Sequence, residues 1–181
     1  MSLNEGTYEL GPDNGRLVLR TSRSGLGRRA GHDLTIEATR WSATATIADS
    51  TAASSVEVTV EVDGLEVREG TGGVLPLSDS DRSEIKKNLR KVLQVDRHPT
   101  ITFRSTAVEG SAEKLTVDGQ LTIMGRSESL AVQAAVADGR LQGGATIQQT
   151  RWGIKPYSAF FGALKLADDI EVAFDLTLGD R

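Results

Sequence analysis

The chain has 181 residues, a formal net charge of −4 and no cysteine. That length suits one domain over 1–181 whose core needs no disulfide, and the missing cysteines exclude thiol catalysis and thiolate metal sites. Basic and acidic residues are interspersed, so neither a nucleic-acid surface nor a polybasic anchor is indicated, and no apolar run reaches the ~20 residues of a membrane-spanning helix.

The first residues, Met1 to Gly6, lack the basic and apolar regions of a secretory signal, which points to the cytoplasm. The stretch 16–22 alternates as a strand with Leu17 and Leu19 inward. Between Asp13 and Asp33 there is no acidic residue, while Arg16, Arg20, Arg23, Arg28 and Arg29 are interleaved with Ser and Gly. Arg23, Arg28 and Arg29 are candidates for an anionic head group, because guanidinium forks match phosphate oxygens. The competing reading is a solvated hairpin loop.

His32 and Asp33 are neighbours, which on a strand sends them to opposite faces. With His98 as the one other histidine, they lack a ligand set for a metal. Leu34, Ile36 and Ala38 alternate with Thr35, Glu37 and Thr39, and 44–48 is a weaker run. The clearest strand is 55–63, with Val56, Val58, Val60 and Val62 opposing Glu57, Thr59, Glu61 and Asp63. The stretch 66–80 is rich in Gly, Ser and Asp and is expected to be a mobile loop.

From Asp81 the period changes. Ile85, Leu89, Val92 and Leu93 form one face of an amphipathic helix, Asp81 and Glu84 resemble a capping box, and Lys86, Lys87, Arg90 and Lys91 cover the outer face. The helix runs to about Val95, Pro99 stops it, and 100–106 is a strand with Ile101 and Phe103 on one face. Leu115, Val117, Leu121 and Ile123 follow, then Leu130, Val132, Ala134 and Val136, then Leu141, Ala145 and Ile147. Val172, Phe174, Leu176 and Leu178 close the chain. Met124-Gly125 and Asp138-Gly139 are hairpin turns, and Gly119, mid-strand, predicts a bulge or a corner.

Half of the aromatic residues fall in Trp152, Tyr157, Phe160 and Phe161, within a long connection between two strands. Such a segment either crosses the mouth of a cavity or plugs the core. Eight to ten antiparallel strands avoid exposed edges most simply by closing into a barrel, with a two-sheet sandwich as the alternative. Small and medium inward side chains leave room along the axis. The expected lining comprises Leu17, Leu19, Leu34, Ile36, Val58, Val60, Phe103, Leu121, Ile123 and Val132, with Trp152, Phe160 and Phe161 reaching in from the connection. No Gly-x-Ser-x-Gly elbow exposes a nucleophile, and no catalytic, metal or cofactor residues are assigned.

Four stretches together resemble the YceI-like, polyisoprenoid-binding family. His98-Pro99-Thr100-Ile101-Thr102-Phe103-Arg104-Ser105 is similar to its Pro-x-Ile-x-Phe-basic-Ser strand. Ala53 to Val60 is similar to the strand before its helical segment, Gly119 to Gly125 to its Gly-x-Leu-Thr-hydrophobic-x-Gly turn, and Asp168 to Val172 to its closing strand. The likeness runs in order from about Gly6 to Leu178. It implies an all-β, lipocalin-like antiparallel barrel of about eight strands with one amphipathic helix as lid. It also implies a non-catalytic role in binding, transport or storage of an isoprenoid or similar long-chain amphiphile. The chain departs from the family at 11–15, where its usual His is missing, and at 25–34. Two other functions stay open from the residues alone: an enzyme acting on a small hydrophobic substrate in the same cavity, and a filled barrel serving as an interaction scaffold. A homodimer is also compatible with the sequence.

Overall fold

A computed structural model of the chain describes residues 4–24, 33–71, 77–156, 158–159 and 164–179. Alternating side chains place eleven strands in one antiparallel sheet. They are β1 (Gly6–Leu10), β2 (Gly15–Arg20), β4 (Asp33–Ala38), β5 (Trp41–Ile47), β6 (Ser55–Glu61), β7 (Leu65–Thr71), β8 (Thr100–Ser111), β9 (Lys114–Ile123), β10 (Arg126–Ala137), β11 (Arg140–Gln148) and β14 (Asp169–Thr177). A small second sheet joins β3 (Arg23–Ser24), β12 (Ser158–Ala159) and β13 (Leu164–Leu166), and one helix, α1 (Asp79–Val92), precedes β8.

The order in the large sheet is β1-β5-β6-β8-β9-β10-β11-β14-β2-β4-β7. Six of its members are halves of three longer strands. β1 and β2 are parted by the 3-10 turn Pro12–Asn14, β4 and β5 by Thr39 and Arg40, and β6 and β7 by the 3-10 turn Val62–Gly64. When the halves are rejoined, β1 beside β5 and β2 beside β4 are one ladder, β5 beside β6 and β4 beside β7 are the next, and β14 returns to β2. The ladder therefore closes on itself after eight long strands, which removes most of the free edge that an open sheet would expose.

The bends are stacked side by side. The Thr39 N–H and hydroxyl both donate to the Gly64 carbonyl, at 2.8 and 2.6 Å, and the Glu61 N–H donates to the Arg40 carbonyl at 3.0 Å. A Cβ on Gly64 would stand 2.7 Å from the Arg40 Cβ, so glycine is what lets the two bends touch. This layer corrects two sequence expectations. The second strand begins at Trp41 rather than Thr44, and residues 66–71 of the supposed loop 66–80 belong to strand β7. Leu65 and Val67 are too short an apolar run to announce a strand alone; pairing with Ala38 and Ile36 of β4 supplies the rest. Residues 72–76 lie outside the described residues.

The helix starts at Asp79, two residues earlier than the sequence suggested, and its cap lies three residues earlier. Ser78 is the N-cap, its hydroxyl accepting from the Asp81 N–H while the Asp81 carboxylate accepts from the Ser78 N–H, both at 3.0 Å. Asp81 is thus the third helical residue of the box rather than its cap. Two of the basic residues assigned to a solvated face are docked instead. Lys86 pairs with Glu66, and Arg90 meets Asp63 at 3.2 Å, so the helix is clamped along β7.

The hairpins form where the sequence placed them. Met124 and Gly125 have φ of 51° and 75°, and Asp138 and Gly139 have 53° and 73°, the left-handed pair of a tight two-residue turn. At Gly119 the β8–β9 register shifts between Ser105 and Ala107, and a Cβ would lie 2.5 Å from the Phe103 ring. Buried residues gather in two groups, one around Tyr8, Ile36, Trp41, Val62 and Leu65, the other around Phe103, Leu121, Ile123 and Trp152. Val58, Leu93 and Ile101 touch both.

Candidate functional site

Inward positions of the barrel enclose a cavity of about 740 Å³, within the range that buries a drug-sized molecule. Leu17 and Leu19 of β2, Leu34 and Ile36 of β4, and Val58 and Val60 of β6 stand on its wall. So do Phe103 of β8, Leu121 and Ile123 of β9, and Val132 of β10. The period of two along each strand puts these side chains on one surface, because the ladder fixes the register. Val58, for example, lies opposite both Ala43 and Phe103.

The wall also includes Tyr8, Leu10, Trp41, Ala43, Ala45 and Ile47, from β1 and β5, which were not assigned to it from sequence. Tyr8-Glu9-Leu10 carries the alternation in miniature, and Trp41-Ser42-Ala43-Thr44-Ala45 carries it with alanine on the inner face. Both signals were available but short. From α1, Ile85, Leu89 and Val92 close the same space, as expected of a lid.

Trp152 stands elsewhere. It is 2% exposed and absent from the wall; its indole N–H donates to the Leu121 carbonyl at 2.8 Å, and the Arg151 guanidinium lies 5.1 Å from its ring centre. The expectation that it reaches into the cavity is therefore corrected: a buried indole N–H needs a partner, and the partner found is a main-chain oxygen of β9. Its neighbour Ile154 does reach the wall. Phe160 and Phe161 lie outside the described residues, as do Arg28, Arg29 and His32. Arg23 is described by its backbone, which pairs with Leu166 in the small sheet.

Polar groups are sparse on the wall. Thr21 and Gln149 follow the ends of β2 and β11, Ser54 and Ser55 precede and begin β6, and Asp81, Glu84 and Asn88 come from α1. Thr21 is 7% exposed and spends its hydroxyl accepting from the Leu34 N–H at 3.2 Å, which extends the strand pairing by one step. Among the described residues no group of three or more His, Asp or Glu could hold a metal ion. The groups with displaced titration lie outside the wall. The Asp175 carboxyl is held low by hydrogen bonds from Arg140 and Gln142, Arg140 is raised in turn, and Asp168 is held low by the Thr150 hydroxyl. No described helix is long and apolar enough to cross a membrane.

Solved structures share this architecture. BcnA of Burkholderia cenocepacia superposes with a TM-score of 0.63 at 16% identity, covering 90% of this chain and 96% of that one. The YceI protein of Campylobacter jejuni gives 0.57 at 16% identity, covering 81% and 84%, and its N182C mutant with a monobromobimane guest gives 0.58 over the same shares. At such identity the likeness concerns the fold. No curated protein matches the chain. A sequence model of the YceI-like domain matches residues 12–178, from the first bend of the barrel to just past its last strand, and the chain belongs to that family.

Proposed function

We propose that this protein is a non-catalytic carrier that holds the tail of an isoprenoid, or a similar long-chain amphiphile, inside the barrel. The observation that carries this reading is the cavity: a wall of Val, Leu, Ile, Ala and Phe around about 740 Å³, with few polar groups. Each methylene moved from water into such a space contributes about 0.8 kcal/mol, so a tail of a few isoprene units binds without specific polar contacts. Membership of a family resembling polyisoprenoid binders supports the chemical class. Selectivity then follows from the shape of the space and from the polar groups near its ends. A catalytic reading would need convergent acid, base or nucleophile groups, and the charged groups of the wall are Asp81 and Glu84 at the start of α1.

Organic extraction of the purified protein followed by mass spectrometry, with native mass spectrometry of the intact complex, tests the reading. A co-purifying lipid of isoprenoid or long-chain type is the expected result. A complementary titration uses retinol, an isoprenoid alcohol whose emission rises in apolar surroundings. A folded protein that yields no lipid and takes up neither retinol nor any longer prenol would refute the carrier role.

A further inference from the structure

Among the described residues the barrel ladder has several free edges: β1 pairs with β5 alone, β8 past Arg104 pairs with β9 alone, and two further breaks are covered differently. Beyond the bend at Val62–Gly64, β7 pairs with β4 alone, and α1 lies along its other side through Lys86 and Arg90. The second breach lies between β10 and β11. Nine residue pairs join β10 to β9 and nine join β11 to β14, but five join β10 to β11, ending at Gln133 opposite Gly144. Past that point both strands continue, each paired on its far edge. Extending the register would set Val132 against Ala145 and Ala131 against Thr146, and neither pair forms.

The breach is bounded along its length. At one end β10 and β11 are pressed together, since a Cβ on Gly143 would fall 2.1 Å from the Gln133 carbonyl oxygen. At the other, the 3-10 turn Gln149–Trp152 crosses from β11 to β10, where the Arg151 guanidinium donates to the Ser129 hydroxyl at 3.2 Å, and reaches β9, where the Trp152 indole N–H donates to the Leu121 carbonyl. Inside, Leu130, Val132, Ala145 and Ile147 belong to the cavity wall. Outside lies a groove of about 750 Å³ edged by Gln120, Ser129, Thr146 and Arg151, and Leu130, Gly144, Ala145 and Val172 border both spaces.

We propose that the amphiphile passes into and out of the cavity sideways, between β10 and β11, with the 149–152 turn as the latch of that passage. Strand edges that carry no ladder bonds part without breaking any, so once the Arg151–Ser129 contact lets go this seam opens at lower free energy than a stretch joined by ladder bonds. An aliphatic tail sliding through meets Val132 and Ala145 first, and the apolar wall is continuous from there. The proposal rests on the carrier reading.

The chain has no cysteine, so two engineered cysteines joined by a reducible bis-methanethiosulfonate cross-linker, long enough to span strands that are not paired, can lock the seam. Ala131→Cys with Thr146→Cys places both thiols on the outer face, clear of the cavity. Ala135→Cys with Gln142→Cys, across a pair that is already bonded, is the control. Loading and release of retinol are followed by stopped-flow fluorescence before and after cross-linking, whose completion is checked by mass. In the seam variant, cross-linking is expected to slow both rates by an order of magnitude while affinity at equilibrium holds, and reduction restores them; the control is unaffected. Unchanged rates in the locked seam variant, or equal slowing in the control, would overturn the passage. Ser129→Ala with Arg151→Ala is the second arm, needs no cross-link, and is expected to release retinol several-fold faster; release at the parent rate would count against the latch. A reduced seam variant and a parent that both fail to take up any prenol overturn the carrier reading instead.

Discussion

The indole N–H of Trp152 donates to the Leu121 carbonyl at 2.8 Å, which ties the connection after β11 to the middle of the barrel wall. The other tryptophan, Trp41, lines the cavity. The two rings therefore divide between support and lining, and the division reverses what clustering of aromatics suggested.

Trp152→Phe removes the donor and part of the ring volume from a site that is 2% exposed. It is expected to lower stability by about 1–3 kcal/mol, because the buried carbonyl loses a partner and a void remains. Denaturant unfolding measures this. Retinol affinity is expected to stay near the parent value, and quenching of tryptophan emission on loading to persist. Trp41→Phe is expected to abolish most of that quenching with the fold intact. The reverse pattern would place Trp152 at the ligand.

Val58 sits on the wall opposite Ala43 and Phe103. Val58→Glu puts a carboxylate there with no cation among the described wall residues to meet it. Circular dichroism and retinol titration are expected to show either an unfolded chain or a folded one without uptake. A folded variant with parent affinity would mean that this face is not where the tail lies.

Leu89 is half-buried, on the inner face of α1. Leu89→Ala is expected to cost about 2 kcal/mol, the low end for such a truncation, because part of the side chain already meets solvent. Thermal unfolding and urea midpoints report it. A loss under about 0.5 kcal/mol, the scale of ordinary surface changes, would show that α1 is not part of the barrel closure.

Alternation was legible wherever it ran long enough. Val56, Val58 and Val60, or Leu130, Val132, Ala134 and Val136, could be placed on a face from the chain alone, and with them most of the cavity wall. The bends were not. Val62 continues the alternation of β6 in sequence yet sits in a 3-10 turn at 1% exposure, because Thr39 and Arg40, more than twenty residues away, fix the bend. The docking of Lys86 and Arg90 was equally hidden, since a basic residue on a helix reads as solvated until its partner on another strand is known. The gap between β10 and β11 has the weakest trace, the pair Gly143-Gly144. Local pattern sets which face a residue takes, whereas the point at which two strands part depends on the packing of the whole barrel.

The latch over that gap has an acid-sensitive anchor. The Asp168 carboxylate accepts from the Thr150 hydroxyl at 2.7 Å and from the Thr150 N–H at 2.9 Å, just before β14 begins. The hydroxyl bond is the main cause that holds its pKa below the ordinary 3.8, against a smaller opposing effect of desolvation. A carboxyl whose folded value is depressed adds stability that is complete above the unfolded value and disappears as pH falls through the folded one. Asp168→Asn should therefore be less stable than the parent at neutral pH, and the difference should shrink below pH 3.8 and vanish once Asp168 is protonated in the folded parent. Asp175, held low by Arg140, titrates in the same region but in both proteins, so it cancels from the difference. Urea unfolding of the two proteins across this range gives the stability difference, and retinol release gives the functional one. Release from the parent is expected to quicken as Asp168 protonates and to approach that of Asp168→Asn, whose own rate changes less. A stability difference that stays constant into strong acid would show that the carboxylate does not hold the turn.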